Sequence, residues 1–284
     1  MTNENIVKFL DDFSVEVTPN AANKIENFSD YLPLGTLIYI AHIEGTPIED
    51  TVRTAKKITD QGFKAMPHFP ARIIKDKEML ADWISRYKNE AGVENALLIA
   101  GGANKPYGEY DSSIQLIESE LFDQAGFKNL HVAGHPEGNK DIDPDGSTSN
   151  VDDALSWKNE FSKRTDASIA ITTQFCFDSN SVIDWANNIK KSGIDIPVNI
   201  GIAGPAKLQT LLRYSIECGV GASIKILQKR AKDITKLLLP YKPTQIISEL
   251  ANHKASNPDF NIEKVHFYPL GGLKQVSQFI NKYK

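Results

Sequence analysis

Short apolar runs alternate with amphipathic helical patterns along this chain, and that alternation limits its fold more than any other feature. Eight runs read as strands: Ser14–Pro19, Thr36–His42, Phe63–Phe69, Asn95–Gly101, Leu130–His135, Ser168–Phe175, Pro197–Gly204 and Val265–Leu270. Each is short, rich in β-branched or aliphatic residues, and bounded by Gly, Pro or polar residues. Between them, Ile48, Val52, Ala55 and Ile58 recur at helical spacing before a stop at Gly62. Met79, Leu80, Trp83, Ile84 and Tyr87 form a second apolar stripe. "SNSVIDWANNIKKSG" and "PAKLQTLLRYSIECG" repeat the pattern, the latter expected to open with Pro205 near its first turn. "LGGLKQVSQFINKYK" reads as a closing helix. Repeated β–α units imply parallel strands with right-handed crossovers. Eight such units in this length predict a closed (β/α)8 TIM barrel as one domain over 1–284, α/β in class. Extra helices are expected at about 219–257, before the last strand. An open doubly wound sheet is the competing architecture, but no GxGxxG follows the first strand.

Composition narrows the partners. Of 284 residues, 41% are hydrophobic and 24% charged, with a formal net charge of -4. That balance offers no footprint for a nucleic-acid backbone, whereas anionic small molecules need only a local cluster. Cys176 and Cys218 stand in different segments without CxxC spacing, which argues against a disulfide framework or a structural zinc. The acidic start is no signal peptide, and no run approaches the ~18 apolar residues of a membrane span. The expectation is a cytoplasmic protein with no membrane partner; homo-oligomerisation is left open.

A barrel places its reactive groups at the carboxyl ends of its strands. Near those ends stand Glu16, His42, His68, Gly101-Gly102, His135 with Glu137, Gln174 and Asp178. Several acids, histidines and a glutamine at one rim read as an active site, with a hydrogen-bonded structural network as the bland alternative. His42, His68 and His135 stand in no HxH or HxxxH spacing to one another, and no metal is expected. Glu16 sits inside the apolar alternation of "SVEVTP". It is either a partnered wall residue or a general acid whose burial keeps it protonated. "GVGASIK" (Gly219–Lys225) could cap a helix or cradle a phosphate. A Schiff-base aldolase would need a strand-end lysine, and Lys64 precedes the end of its strand.

"SVEVTP", "MPHFPAR", "VAGHPEGNKD" and "AITTQFCFD", in this order and spacing, resemble the methylenetetrahydrofolate reductases, with the Thr-Gln-Phe-x-Phe-Asp run the most specific. "VHFYPLGGL" resembles the family's closing strand. The resemblance implies a (β/α)8 barrel that holds FAD and passes hydride from NAD(P)H through the flavin to methylenetetrahydrofolate, giving methyltetrahydrofolate. It implies that Glu16 protonates the folate and opens its imidazolidine ring, and that Gln174 hydrogen-bonds the pterin. It implies flavin contacts from His68 and His135, a basic residue near the flavin phosphates at Arg164 or Lys163, and an aromatic at Tyr214 on substrate or nicotinamide.

The chain also departs from the family. Its usual Arg-Gly-Asp after the fourth strand reads Ala100-Gly101-Gly102 here, a flavin-contacting threonine becomes Ala41, and a second histidine becomes Asn139. Arg72 or Lys105 could compensate by reaching an anionic group. Gly101 and Gly102 therefore mark the expected cofactor rim. Three functions stay open: a reductase that still uses FAD, a flavin-independent reductase taking hydride directly from NAD(P)H, and a folate-binding relative in one-carbon or methyl-group breakdown.

Overall fold

The structure is a computed structural model and describes residues 3–218, 227–228 and 240–284. Eight strands close a barrel in sequence order, each beside the next: β1 Ser14–Val17, β2 Leu37–Ile40, β3 Lys64–Pro70, β4 Asn95–Ile99, β5 Asn129–Gly134, β6 Ser168–Cys176, β7 Val198–Ala203 and β8 Ile262–Tyr268. Neighbours pair in parallel, so the crossovers must be helical or long, as the alternation predicts. The chain groups into two compact units: Ser14–Ala133 with Glu160–Ile171, and Met1–Phe13 with Gly134–Asn159 and Thr172–Lys284.

The first unit carries β1 to β5 with α2 Pro19–Ala22, α3 Ile48–Asp60, α4 Lys77–Ala91, α5 Ser113–Glu118 and α6 Leu121–Gln124. α4 shows why these segments are helices. The Asp76 carboxylate accepts from Met79 N at 2.8 Å, and Gly92 closes the helix in the left-handed region at φ 62°. Between the caps, Leu80, Trp83, Ile84 and Tyr87 bury one face. Phe69 of β3 meets Phe122 edge-to-face at 5.0 Å and Tyr87 at 5.3 Å. Each fully buried side chain of this size contributes roughly 1.5–3 kcal/mol.

The second unit carries α1 Asn3–Phe9, α7 Ser149–Ser162, α8 Ser179–Lys191, α9 Leu208–Glu217, α10 Thr244–Ser256 and α11 Leu273–Ile280. Phe175, Phe177, Ala203, Leu208, Leu211 and Tyr241 pack as its core under α9. Pro205 does not open α9, as the pattern had suggested. Ala206 instead exchanges backbone hydrogen bonds with Tyr241 at 2.9 and 3.3 Å, which keeps this stretch extended until Leu208. Of the stretch at about 219–257, the structure describes α10; residues 219–226 and 229–239, with the "GVGASIK" motif, lie outside the described residues.

Candidate active site

Glu16 lies on β1 with its side chain 18% exposed, and its Oε2 stands 3.2 Å from His68 Nε2 on β3. The contact lacks the alignment of a good hydrogen bond, so the carboxyl and the imidazole face each other in close polar contact. Register explains the meeting. Glu16 is the partner of Tyr39, Tyr39 of Met66, and His68 follows Met66 by two residues, so all four leave the sheet on one face. Tyr39 of β2 contacts His131 of β5 at 2.5 Å between Oη and Nδ1. β2 and β5 are not neighbours, so this contact spans the concave side of the sheet. Tyr39, Met66 and Leu97 pack there as an apolar layer.

His42, just past β2, stacks on Trp83 with centroids 4.6 Å apart and the rings 10° from parallel. Its Nε2 donates to the Thr46 carbonyl at 3.0 Å, while Nδ1 is buried with no hydrogen-bond partner among the described residues. Burial lowers its pKa against the opposing effect of that backbone bond, so the ring is neutral near pH 7.

The segment after β4 folds back on the segment after β3. Arg72 N donates to the Ala100 carbonyl at 2.9 Å, Tyr107 N to the Arg72 carbonyl at 2.8 Å, and Glu109 N to the Lys75 carbonyl at 2.8 Å. The Arg72 guanidinium completes the clamp, with Nε 2.7 Å from Asp111 Oδ1 and Nη1 3.2 Å from the Ala103 carbonyl. Gly101 takes φ +93°, and a Cβ there would stand 2.8 Å from Pro70 Cβ. A glycine is required at this position whatever its neighbours do, while Gly102 faces open space.

In the second unit, His135 follows β5 and is partly buried; burial, helped by the Lys158 charge, holds its pKa at about 4, so it is neutral at pH 7. Lys158 of α7 is only 6% exposed, and burial pulls its pKa down to about 8. Among the described residues no carboxylate pairs with it. Gln174 is half-buried on β6, and its Oε1 accepts from Phe175 N at 3.0 Å. The strand is fixed around it. Tyr268 Oη donates to the Thr173 carbonyl at 2.9 Å, and Gly201 N donates to Thr173 Oγ1 at 2.8 Å. β7 can approach this closely because a Cβ on Gly201 would lie 2.3 Å from the Thr173 carbonyl oxygen. Tyr214 of α9 packs against the Phe175–Leu211 cluster, with the Arg213 guanidinium 4.8 Å from its ring centre.

Two strand-end residues have structural work. Asp178 accepts from Asn180 N and Ser181 N and so caps α8. The Cys176 thiol is fully buried and held strongly protonated by burial beside Glu137 and Asp178, which makes it inert. Tyr39, His131 and Lys158 carry no site signal in the sequence, because their burial and partners come only from the fold. Among the described residues no group of His, Cys, Asp or Glu has the arrangement of a metal site.

A flavin held as the resemblance implies needs charged or hydroxyl groups at positions 41, 100 and 102, where this chain has Ala41, Ala100 and Gly102. Arg72 is committed to Asp111 and Ala103. Arg164 is exposed and precedes the first residue of β6, at the end of that strand opposite its carboxyl end, with Phe161 5.6 Å below its guanidinium. Lys163 pairs with Glu160 at 2.5 Å. These residues do not fit a flavin anchored in that manner.

The family model described as methylenetetrahydrofolate reductase matches residues 14–281. Among solved structures, an uncharacterized protein from Clostridium thermocellum that binds two copies of 5-methyl-5,6,7,8-tetrahydrofolic acid is 10% identical, with a TM-score of 0.54 over 99% of this chain and 98% of that one. A Yersinia pestis DHPS with a pterine-sulfa conjugate is 11% identical, with a TM-score of 0.45 over 98% and 93%. At 10% identity the likeness to the first of these is one of fold.

Proposed function

Because the chain belongs to the methylenetetrahydrofolate reductase family, we propose that it reduces methylenetetrahydrofolate to methyltetrahydrofolate with hydride taken directly from NAD(P)H. The observation that carries this reading is the Glu16–His68 pair, a mostly buried carboxyl 3.2 Å from an imidazole on the family's acid-bearing strand. Glu16 gives its proton to the folate nitrogen N10. The bond from that nitrogen to the bridging methylene breaks, and the methylene remains on N5 as an iminium. Hydride from the nicotinamide C4 then adds to the iminium carbon and completes the methyl group. One proton and one hydride enter, and oxidised nicotinamide leaves. His68 is placed to return a proton to Glu16 after each turnover.

Gln174 is the family's pterin-reading position, and its amide has the donor and acceptor pair that a pterin edge requires. Tyr214 offers a flat apolar surface to the folate or the nicotinamide. His135, neutral at pH 7, adds a hydrogen-bonding group without adding charge. The reaction is largely a matter of holding two flat rings face to face, so positioning residues matter as much as the acid. The reading omits flavin because Arg72 is engaged elsewhere and the charges expected at 100 and 102 are replaced by Ala100 and Gly102.

The test is NAD(P)H oxidation by purified protein with and without methylenetetrahydrofolate. Consumption should require the folate, and Glu16→Gln should lower kcat by about 10²–10⁴-fold while folate still binds. Turnover that ignores the folate, or a Glu16→Gln enzyme of normal rate, would overturn the reading. The visible spectrum of the same sample should lack flavin bands.

A further inference from the structure

Beside the proposed acid lies a buried hydrogen-bonded couple that the chemistry above leaves unused. Tyr39 has no exposed surface and His131 is 8% exposed. Their contact runs between Tyr39 Oη and His131 Nδ1 at 2.5 Å, across the concave side of the sheet from β2 to β5. Around them the layer is apolar, with Met66 and Leu97 packed against Tyr39. A phenol and an imidazole in such a layer exclude the better-packed aliphatic pair, so packing alone does not account for them.

The position of Tyr39 gives the couple a task. It is Glu16's register partner, which sets the two side chains side by side on one face. Its ring also meets the His68 ring at 6.3 Å and 83°, an edge-to-face contact. The Tyr39 side chain is thus fixed at both ends, by β2 at its Cα and by His131 at its hydroxyl. That makes it a strut against which the His68 imidazole stands, and His68 in turn faces Glu16 at 3.2 Å. Other ionisable side chains on these strands do not share the role. Lys64 is exposed at the start of β3. On β8, Glu263 and Lys264 are exposed, and the His266 and Tyr268 rings meet edge-to-face at 4.8 Å.

We propose that Tyr39 and His131 form a positioning couple for the Glu16–His68 pair, with the phenol donating to His131 Nδ1 and the His131 proton held on Nε2. The couple transfers nothing itself; it fixes the imidazole so that Glu16 and His68 exchange one proton in a constant geometry. The inference rests on the assignment of Glu16 as the acid, and its test has one arm that does not.

The first arm is nitrogen NMR of the histidine rings. In the native protein Glu16→Gln should move the His68 ring signals, and His131 Nδ1 should show the shift of an unprotonated acceptor. In Tyr39→Phe, which removes one oxygen and keeps the packing, the response of His68 to Glu16→Gln should shrink or vanish. The same should hold in His131→Leu, whereas His131→Gln, which still offers an acceptor oxygen to the phenol, should restore it. The second arm is turnover. Tyr39→Phe should lower kcat about ten- to a hundredfold with the folate KM within about twofold, should add no further loss to Glu16→Gln, and should shift the pH profile. A His68 response that survives in both Tyr39→Phe and His131→Leu, or a His131→Gln protein that behaves like His131→Leu, overturns the couple. Loss of folate-dependent turnover in the native protein overturns the assigned reaction and leaves the NMR arm decisive for the couple.

Discussion

An ammonium cut off from water and, among the described residues, from carboxylates, as that of Lys158 is, costs the folded chain stability over a defined pH range. Its pKa falls from 10.5 to about 8 in the native state. Between those values the unfolded chain holds a proton that the native chain has released, so stability rises with pH across that window. Below pH 8 the penalty is constant, at most about 3 kcal/mol. Lys158→Met, which keeps the length and apolar stem, should therefore stabilise the protein by about 1–3 kcal/mol at pH 7. Urea unfolding at pH 7 and near pH 10.5 checks this: the gain should fade at the higher pH, and a variant less stable than the native protein at pH 7 would contradict the account. Lys158 was invisible in the sequence because a lysine on a helix is usually a solvated one, and burial depends on what packs over it. Glu16 was legible, because a carboxylate inside an apolar strand pattern has few inexpensive explanations. Its neighbour Tyr39 was not, because a tyrosine suits any strand and only the register with Glu16 gives it a meaning.

Among the elements, the segment from Gly101 to Asp111 shows how a motif can change its meaning once its contacts are known. Two glycines after a strand read equally well as a phosphate cradle, a turn or a place where charges are missing. The left-handed backbone of Gly101 and its approach to Pro70 make the first glycine a conformational necessity, and the Arg72 clamp makes the segment an ordered cover over the end of β3. Arg72→Ala should loosen that cover. Hydrogen exchange of the amides of Tyr107 and Glu109 should speed up severalfold or more, with β2 and β3 amides unchanged; unchanged exchange at Tyr107 and Glu109 would show that the backbone bonds alone hold it. Gly101→Ala should cost about 1–3 kcal/mol, from strain at positive φ and from the collision with Pro70, read as a lower urea midpoint. All eight strands were legible from the apolar runs, since buried parallel strands are nearly continuous in hydrophobicity. Their ends were less so: Pro205 looks like a helix start, and only the pairing of Ala206 with Tyr241, from a distant part of the chain, keeps it extended.

For the molecule as a whole, eight parallel strands in sequence order and a family match over residues 14–281 fix the architecture and the kinship. None of the described helices is long and apolar enough to cross a membrane. Kinship alone does not choose the hydride route, because the positions where the family carries its arginine and aspartate are Ala100 and Gly102 here, and the nearest compensating arginine is tied into a loop. The route can be read from the product. With NAD(P)H carrying deuterium at the transferred C4 position, direct transfer places one deuterium in the methyl group of methyltetrahydrofolate. Transfer through a flavin exposes the label to exchange with solvent before it reaches the folate. Mass analysis of the product formed in ordinary water should show one retained deuterium per methyl group; a product without deuterium, or no methyltetrahydrofolate at all, would contradict the account.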